Sequence, residues 1–485
     1  MKRREFLSTA SLGVGASLWA ARSNAAPESR PNILWLISED TSPDFGCYGH
    51  PLVQSPNIDQ LAAEGTRYHA AFATAPVCSA ARSAMMTGMY QTSIGAHNHR
   101  SHREDAYTLP APAEVITKYF RDAGYFVSNG HGVKWDKPGK TDFNFAPSTT
   151  PFDGTDWRQR KAGQPFLAQY NFSMTHRAFE RDPERPIDPA KVDLPPYYPD
   201  APLLRRDWAD YLESAQVLDR QVGALLKRLE EDGLADNTII VYHGDHGQAH
   251  VRGKQWLYDS GIRVPLIVRK PGGAGAGTVS EELVSLLDLA PTLMQWAGIE
   301  PPPHLHGRSL DLGAPREHIV CARDRCDEAV DRIRSVRTKQ FKYIRNFYPE
   351  RPYLQFNAYK KKQYPAVSVL ELWQKEGKLT EVQQLFMAAT RPEEELYDLT
   401  DDPHEVKDLA KDPAHQETLK KLRARLDEWI KETGDLGALP EPAEVTDYAR
   451  VDSRKRFDEA MKERGIAPDA GPEAHVAWWE KQLLG

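Results

Sequence analysis

Asn32-Ile33-Leu34-Trp35-Leu36-Ile37-Ser38-Glu39-Asp40 contains an unbroken apolar run that ends in two acids. A run of this length without alternation is the pattern of a strand buried on both faces. Thr238-Ile239-Ile240-Val241-Tyr242 repeats it and releases His243-Gly244-Asp245-His246 at its end, and Pro265-Leu266-Ile267-Val268 is a third such run. Ahead of the second run, Trp208, Tyr211, Leu212, Ala215, Leu218, Val222, Leu225, Leu226 and Leu229 recur at steps of three and four, with Gly233 just beyond. That spacing predicts one long amphipathic helix. Strands alternating with helices predict an α/β domain built on a largely parallel sheet. Two strands then deliver acids at their carboxyl ends, the edge where open α/β sheets bind ligands. Taken singly, Glu39-Asp40 or Asp245-His246 would be ordinary polar loop residues.

The chain has 485 residues, 62 Lys and Arg against 69 Asp and Glu, and a net charge of −7. An acidic chain lacks the basic surface that sequence-independent nucleic-acid binding needs. Four cysteines in this length exclude a disulfide-dense scaffold. No apolar stretch approaches the roughly 20 residues of a membrane span. At the start, Arg3-Arg4-Glu5-Phe6-Leu7 is followed by an Ala-, Ser- and Gly-rich stretch and by Ser23-Asn24-Ala25. This order predicts a twin-arginine export signal over residues 1–25, removed to leave a periplasmic or extracellular protein.

The rest divides into a catalytic α/β domain over 26–315 and a smaller C-terminal α+β domain over 316–485. Within the latter, residues 333–343 are expected as a strand and 413–432 as a helix, with an irregular insertion near 348–392. The prolines from Pro183 to Pro202 mark a long ordered loop, a candidate cover for the active site. Cys321 and Cys326 lack the partners of a zinc site, which leaves a disulfide or free thiols.

Ala75-Pro76-Val77-Cys78-Ser79-Ala80-Ala81-Arg82-Ser83-Ala84-Met85-Met86-Thr87-Gly88 carries the most chemistry. Ser79 to Thr87 can form a short helix closed by Gly88, with Cys78 at its positive end and Arg82 one turn on. A cysteine there is an activated thiol or a residue converted to something else. The plain alternative is a small buried hydrophobe.

This stretch resembles the signature of the type I sulfatases of the alkaline phosphatase superfamily, in which the cysteine becomes formylglycine. Other landmarks fall in family order: Pro56-Asn57-Ile58-Asp59-Gln60-Leu61-Ala62, Gly244-Asp245-His246-Gly247, Lys254 with Arg263-Val264-Pro265-Leu266-Ile267-Val268, Asp288-Leu289-Ala290-Pro291-Thr292-Leu293, and Glu395-Leu396-Tyr397-Asp398-Leu399 with Asp402-Pro403-His404-Glu405. The resemblance implies an alkaline-phosphatase-like mixed, largely parallel sheet between helices and a sulfuric ester hydrolase. It also implies one divalent metal held by Glu39, Asp40, residue 78, Asp245 and His246, and the hard oxygens suit Ca²⁺. The formylglycine hydrate would attack sulfur and later expel sulfate as the aldehyde re-forms.

By the same resemblance Arg82 supports the nucleophile, His176 in Ser173-Met174-Thr175-His176 protonates the leaving group, and Lys254 binds sulfate. The family's Gly-Lys-x-His has two candidates here, Lys134-Trp135-Asp136 and Gly139-Lys140-Thr141-Asp142. Both put aspartate in the histidine's place, so either Asp136 or Asp142 would take the base's role or the base lies elsewhere, and both lysines stay open. His97, His99 and Arg100, after the nucleophile helix, are candidates for a substrate pocket, or else for a solvated loop.

Several residues depart from the family pattern. Glu39 and His246 stand where relatives commonly have Asp and Asn. Ala80 and Ala81 replace proline and serine or threonine, and the alanine form is associated with radical-type formylglycine-generating maturases. Leu379-Thr380-Glu381-Val382-Gln383-Gln384-Leu385-Phe386 and Trp429-Ile430-Lys431-Glu432-Thr433 look similar to heparan N-sulfatases and their bacterial relatives. The expected substrate is therefore a sulfated carbohydrate, as ester or sulfamate. The alternatives are a phosphodiesterase or phosphonate monoester hydrolase of the same superfamily, or a catalytically silent sulfated-glycan-binding relative.

Overall fold

The computed structural model describes residues 30–102, 105–312 and 314–485. The export signal expected over residues 1–25 lies outside them. Among the described residues, twelve strands form two sheets. The first holds β1 (Asn32–Ser38), β2 (Thr66–Phe72), β3 (Phe126–His131), β4 (Lys134–Pro138), β5 (Phe166–Phe172), β6 (Thr238–Gly244), β7 (Arg263–Arg269) and β8 (Thr278–Ser285). The second holds β9 (Ile319–Arg323), β10 (Ile333–Arg337), β11 (Phe341–Asn346) and β12 (Glu394–Asp398). The helices of the first half are α1 (Pro56–Ala63), α2 (Cys78–Thr87), α3 (Ile116–Asp122), α4 (Pro202–Glu231), α5 (Asp259–Ile262) and α6 (Leu289–Trp296). Those of the second are α7 (Ala358–Gln363), α8 (Pro365–Lys375), α9 (Glu381–Met387), α10 (Gln416–Thr433), α11 (Ala443–Arg464) and α12 (Pro472–Leu483).

The large sheet runs β4-β3-β5-β1-β6-β7-β2-β8. At its centre β5, β1 and β6 are parallel, with Ser38 level with both Phe172 and Gly244. Three strands therefore end on one edge. Glu39-Asp40, Ser173–His176 and Asp245-His246 emerge side by side because register places them there. β1 is buried on both faces, as its unbroken apolar run requires: Leu34 and Leu36 enter one core cluster, Ile33, Trp35 and Ile37 the other. α4 covers the first face with Leu212, Leu218, Val222 and Leu225. α3 and α6 cover the second with Ile116, Phe120 and Leu293.

The second sheet is antiparallel in the order β12-β11-β10-β9, and α10 packs Leu419, Leu422, Leu426 and Trp429 against it. It joins the large sheet through Ala322 N–H donating to Thr74 O at 2.8 Å. Among the described residues no helix is long and apolar enough to cross a membrane.

Three expectations need correction. Residues 333–343 are two strands of a hairpin, β10 and β11, turned at Thr338 to Gln340. Residues 348–392, expected to be irregular, hold three helices, α7 to α9, of which α8 starts at Pro365 and α9 is capped by Thr380. The proline-rich segment from Pro183 to Pro202 does not cover the site. It packs along α4, where Glu213 accepts from the N–H of Asp182 and Ile187, and Arg220 pairs with Asp182. Cys321 and Cys326 are both buried free thiols.

Candidate active site

α2 begins at Cys78, and all ten of its residues are buried. Gly88 ends it in the left-handed region at φ 65°, which a glycine takes without strain. Cys78 Sγ lies 3.2 Å from His246 Nε2 and 3.9 Å from Asp40 Oδ1. Asp40, Cys78 and His246 each offer a donor atom within 4.8 Å of the others, all buried. Asp245 adjoins them: its Oδ1 accepts from the N–H of Asp40 and of His246, and its Oδ2 from Arg82 Nε at 3.0 Å. Glu39, expected among the ligands, stands outside this group. Its longer arm takes Oε2 to Lys140 Nζ at 2.6 Å.

His246 Nδ1 lies 2.9 Å from the carbonyl of Gly247. A carbonyl can only accept, so Nδ1 carries a proton and the neutral ring presents the Nε2 lone pair to Asp40 and Cys78. Burial opposes a charge on this ring, yet Asp245, Cys78 and Asp40 draw its pKa up to about 9. Negative charge is therefore in surplus around Nε2. A carboxylate, an imidazole nitrogen and residue 78, converging in a buried pocket with Asp245 alongside, fit a divalent cation.

Cations surround the group. Lys254 Nζ bridges both Asp40 oxygens at 2.9 and 2.8 Å. Arg82, one turn into α2, also donates to Asn171 Oδ1 at 2.6 Å, and Asn171 in turn donates to Asn129 Oδ1 at 2.7 Å. Burial pushes the Cys78 thiol up, but Lys140, Lys254 and His246 outweigh it and hold the thiol below its ordinary value. This ring of fixed positive charge suits a tetrahedral anion beside residue 78.

The structure places the two lysine motifs differently. Lys134 and Asp136 lie exposed on the edge strand β4 and do not enter the cluster, contrary to their expected roles. Lys140 does. Gly139 makes the difference: a Cβ there would sit 2.2 Å from Gly130 O and 2.4 Å from Asn129 Oδ1. Its N–H and carbonyl both bond to Asn129, which brings the chain back under the sheet edge.

Asp142 is not placed as a free base. Both of its oxygens accept from Arg100, at 3.1 and 3.0 Å, and Lys140 lies 3.6 Å away. Burial raises the Asp142 pKa, but the bonds and charge of Arg100 and Lys140 prevail and keep the carboxyl far below the usual range. Such an acid orients its cations and takes up no proton near neutrality.

Of the loop candidates, His99 and Arg100 line the cavity beside Cys78, and His97 does not. His97 is buried near Asp324, Asp435 and Glu441, at the junction with the second sheet. His99 Nδ1 lies 2.9 Å from the Ser79 hydroxyl, and burial pulls its pKa down to about 3, so the ring is neutral. His176 follows β5, as expected. The carbonyl of Arg177 holds its Nδ1 at 2.6 Å, and Nε2 stands 3.9 Å from Asp40 Oδ2. Burial lowers its pKa, against the pull of Asp40.

Sequence reasoning missed the outer part of the site. The cavity measures about 750 Å³ and opens from Cys78, His176 and Lys254 to Asp327, Tyr359 and Tyr448. Tyr359, on α7, sets its ring 5.2 Å from Lys254 Nζ, and its hydroxyl is enclosed without a hydrogen-bond partner. Asp327 accepts from Asn357 and Gln255 and faces His99. None of these residues belongs to a motif, and no local signal would have found them.

The model of the sulfatase family matches residues 31–299, and that of the N-sulphoglucosamine sulphohydrolase C-terminal region matches residues 244–384. An ulvan-active sulfatase of Formosa agariphila is 36% identical over 466 residues, covering 85% of this chain and 76% of the relative. The N-sulphoglucosamine sulphohydrolase of Homo sapiens is 26% identical over 469 residues, covering 84% and 91%. Among solved structures, one holding its substrate D-glucosamine-2-N,6-O-disulfate superposes with a TM-score of 0.60 at 19% identity, covering 84% of this chain and 98% of that one. The phosphonate monoester hydrolase of Agrobacterium radiobacter gives 0.63 at 18%, covering 83% and 96%. These structural likenesses speak for the fold.

Proposed function

The chain belongs to the sulfatase family, and from that premise we propose that it removes sulfate from a sulfated polysaccharide after export to the periplasm or cell exterior. It is a sulfuric ester hydrolase of carbohydrates. The ulvan-active relative favours an ester on a ulvan-type glycan, and the sulphohydrolase C-terminal match keeps a sulfamate as the competing substrate. The observation that carries the reading is Cys78 at the head of α2, ringed by Lys140, Lys254 and Arg82.

Converted to formylglycine, by a maturase of the radical type that suits Ala80, residue 78 would supply the nucleophile as a hydrated aldehyde. Asp40, His246 and residue 78 would hold a divalent cation, Ca²⁺ by the weight of carboxylate oxygens, with Asp245 alongside. When bound, the cation would lower the charge on the sulfate oxygens and on the attacking group. Lys254 and Lys140 place positive charge where the sulfate sits. Arg82 fixes Asp245, and Arg100 with Asp142 fixes Lys140. His176, its Nδ1–H held by the Arg177 carbonyl, serves the departing sugar oxygen as proton donor in its imidazolium form, which a sulfate bound beside it favours.

The test compares kcat/KM on 4-nitrophenyl sulfate with that on bis-4-nitrophenyl phosphate, in the native chain and in Cys78→Ala. The sulfate ester should be preferred, and the variant should be folded and inactive. Preference for the phosphate diester would move the chain to the phosphonate hydrolase reading. Full activity in Cys78→Ala would remove the nucleophile assignment.

A further inference from the structure

We propose that α11 is a carbohydrate-binding wall of the active-site cavity, with Tyr448 as the ring on which the sugar beside the sulfated one stacks. The proposal rests on the sulfatase reading and adds a second subsite to it. α11 contributes Glu444, Val445, Tyr448, Ala449, Asp452 and Ser453 to the cavity that also holds Cys78. These positions recur at the helical period, so one face of α11 looks into the cavity along more than two turns. Toward its C-terminal end α11 buries Phe457 and Met461 against Ala358 of α7 and Ile466. Arg325, clamped by Glu441, fixes the approach to the helix. The wall is thus firmly mounted, yet Tyr448 is 61% exposed. Packing does not account for a large ring standing open at the mouth of the catalytic cavity.

A tyrosine in that position offers an apolar face to the C–H side of a pyranose and a hydroxyl to its rim. Around it Glu444, Asp452 and Ser453 supply acceptors for sugar hydroxyls. The charge distribution is graded. The floor, at Lys254, is cationic, with Lys140 and Arg82 behind residue 78, and suits the sulfate, whereas the Tyr448 wall carries two carboxylates against one arginine, Arg456, which Asp452 already pairs at 2.8 Å. The sugar on this wall is therefore one with free hydroxyls and no second sulfate pointing at α11. A cavity of about 750 Å³ lies within the roughly 300–1,000 Å³ that encloses a drug-sized ligand, which a sulfated disaccharide resembles in bulk. Both family models stop by residue 384. The wall is built from chain beyond that point.

The experiment measures affinity for short ulvan and heparin oligosaccharides by calorimetry in Cys78→Ala, so that turnover does not intervene. Adding Tyr448→Ala should weaken binding of whichever oligosaccharide is held by about tenfold, the loss of one well-seated aromatic contact. Tyr448→Phe should keep most of the affinity. In the chain with Cys78 intact, Tyr448→Ala should raise KM on the oligosaccharide far more than it changes KM on 4-nitrophenyl sulfate. Undiminished binding by Tyr448→Ala, or binding of neither glycan, would overturn the proposal. Failure of the aryl sulfate assay alone would count against the sulfatase reading and not against the wall.

Discussion

Replacing Lys140 by methionine tests the discrimination between the two lysine motifs. Lys140 Nζ stands 2.6 Å from Glu39 Oε2, with the lysine side chain 21% and the glutamate 7% exposed. At that distance the direct attraction is about 6 kcal/mol for an effective dielectric constant of 20. Desolvation cancels much of it while the pair is intact. Removing one partner leaves Glu39 buried and unpaired beside Asp40 and Asp245. Breaking such a pair costs about 3–5 kcal/mol, and the partial exposure of Lys140 puts the cost near the lower end, about 3 kcal/mol. Loss of one fixed charge at the reacting group should lower kcat by about 10²–10³. Lys134→Met, on an exposed edge strand, should change stability by less than about 0.5 kcal/mol and leave kcat unchanged. Urea midpoints report the first quantity and 4-nitrophenyl sulfate kinetics the second, with circular dichroism confirming that both variants are folded. Equal losses in the two variants, or a loss confined to Lys134→Met, would refute the placement of Lys140.

Acid titration addresses the joint between the sheets. Burial raises the Asp435 carboxyl, but Arg334 prevails and holds it down to about 2 from an ordinary 3.8. A depressed carboxylate stabilises above its unfolded pKa, and the contribution disappears as pH falls through the folded one. Asp435→Asn should therefore lose about 2 kcal/mol at pH 7 and little at pH 2, read as urea midpoints across that window. Chelation should lower stability, and Ca²⁺ at 100 times its Kd should restore about 2.7 kcal/mol, read as a rise in melting temperature. Recovery with other divalent ions but not with Ca²⁺ would correct the metal's identity. Gly139→Ala should displace Lys140 and cut kcat/KM on aryl sulfate, because its Cβ meets backbone oxygen at 2.2 Å. Unchanged kinetics there would show that the loop can yield.

The central strands were legible because β1 and β6 are buried on both faces, and a continuous apolar run bounded by polar residues suits a strand covered from both sides. Their parallel register then carried Asp40 and Asp245 to one edge without further signal. The same reasoning merged β10 and β11, since Thr338-Lys339-Gln340 turns without the glycine or proline that usually marks a hairpin. α11 escaped notice for a related reason. Only Phe457 and Met461 of its 22 residues are buried hydrophobics, so it carries almost no apolar periodicity. The floor of the site follows a motif that can be read locally. Its walls, Asp327, Tyr359 and Tyr448, come from segments remote in sequence, and only folding brings them to Cys78. The choice between Lys134 and Lys140 turned on whether a Cβ fits under Asn129, which spacing does not encode.

The most direct test is mass spectrometry of residue 78, in the tryptic peptide from Tyr68 to Arg82, taken from protein that turns over 4-nitrophenyl sulfate. The account predicts a lighter, aldehyde-reactive peptide carrying formylglycine in place of Cys78. An unmodified cysteine in fully active protein would contradict it.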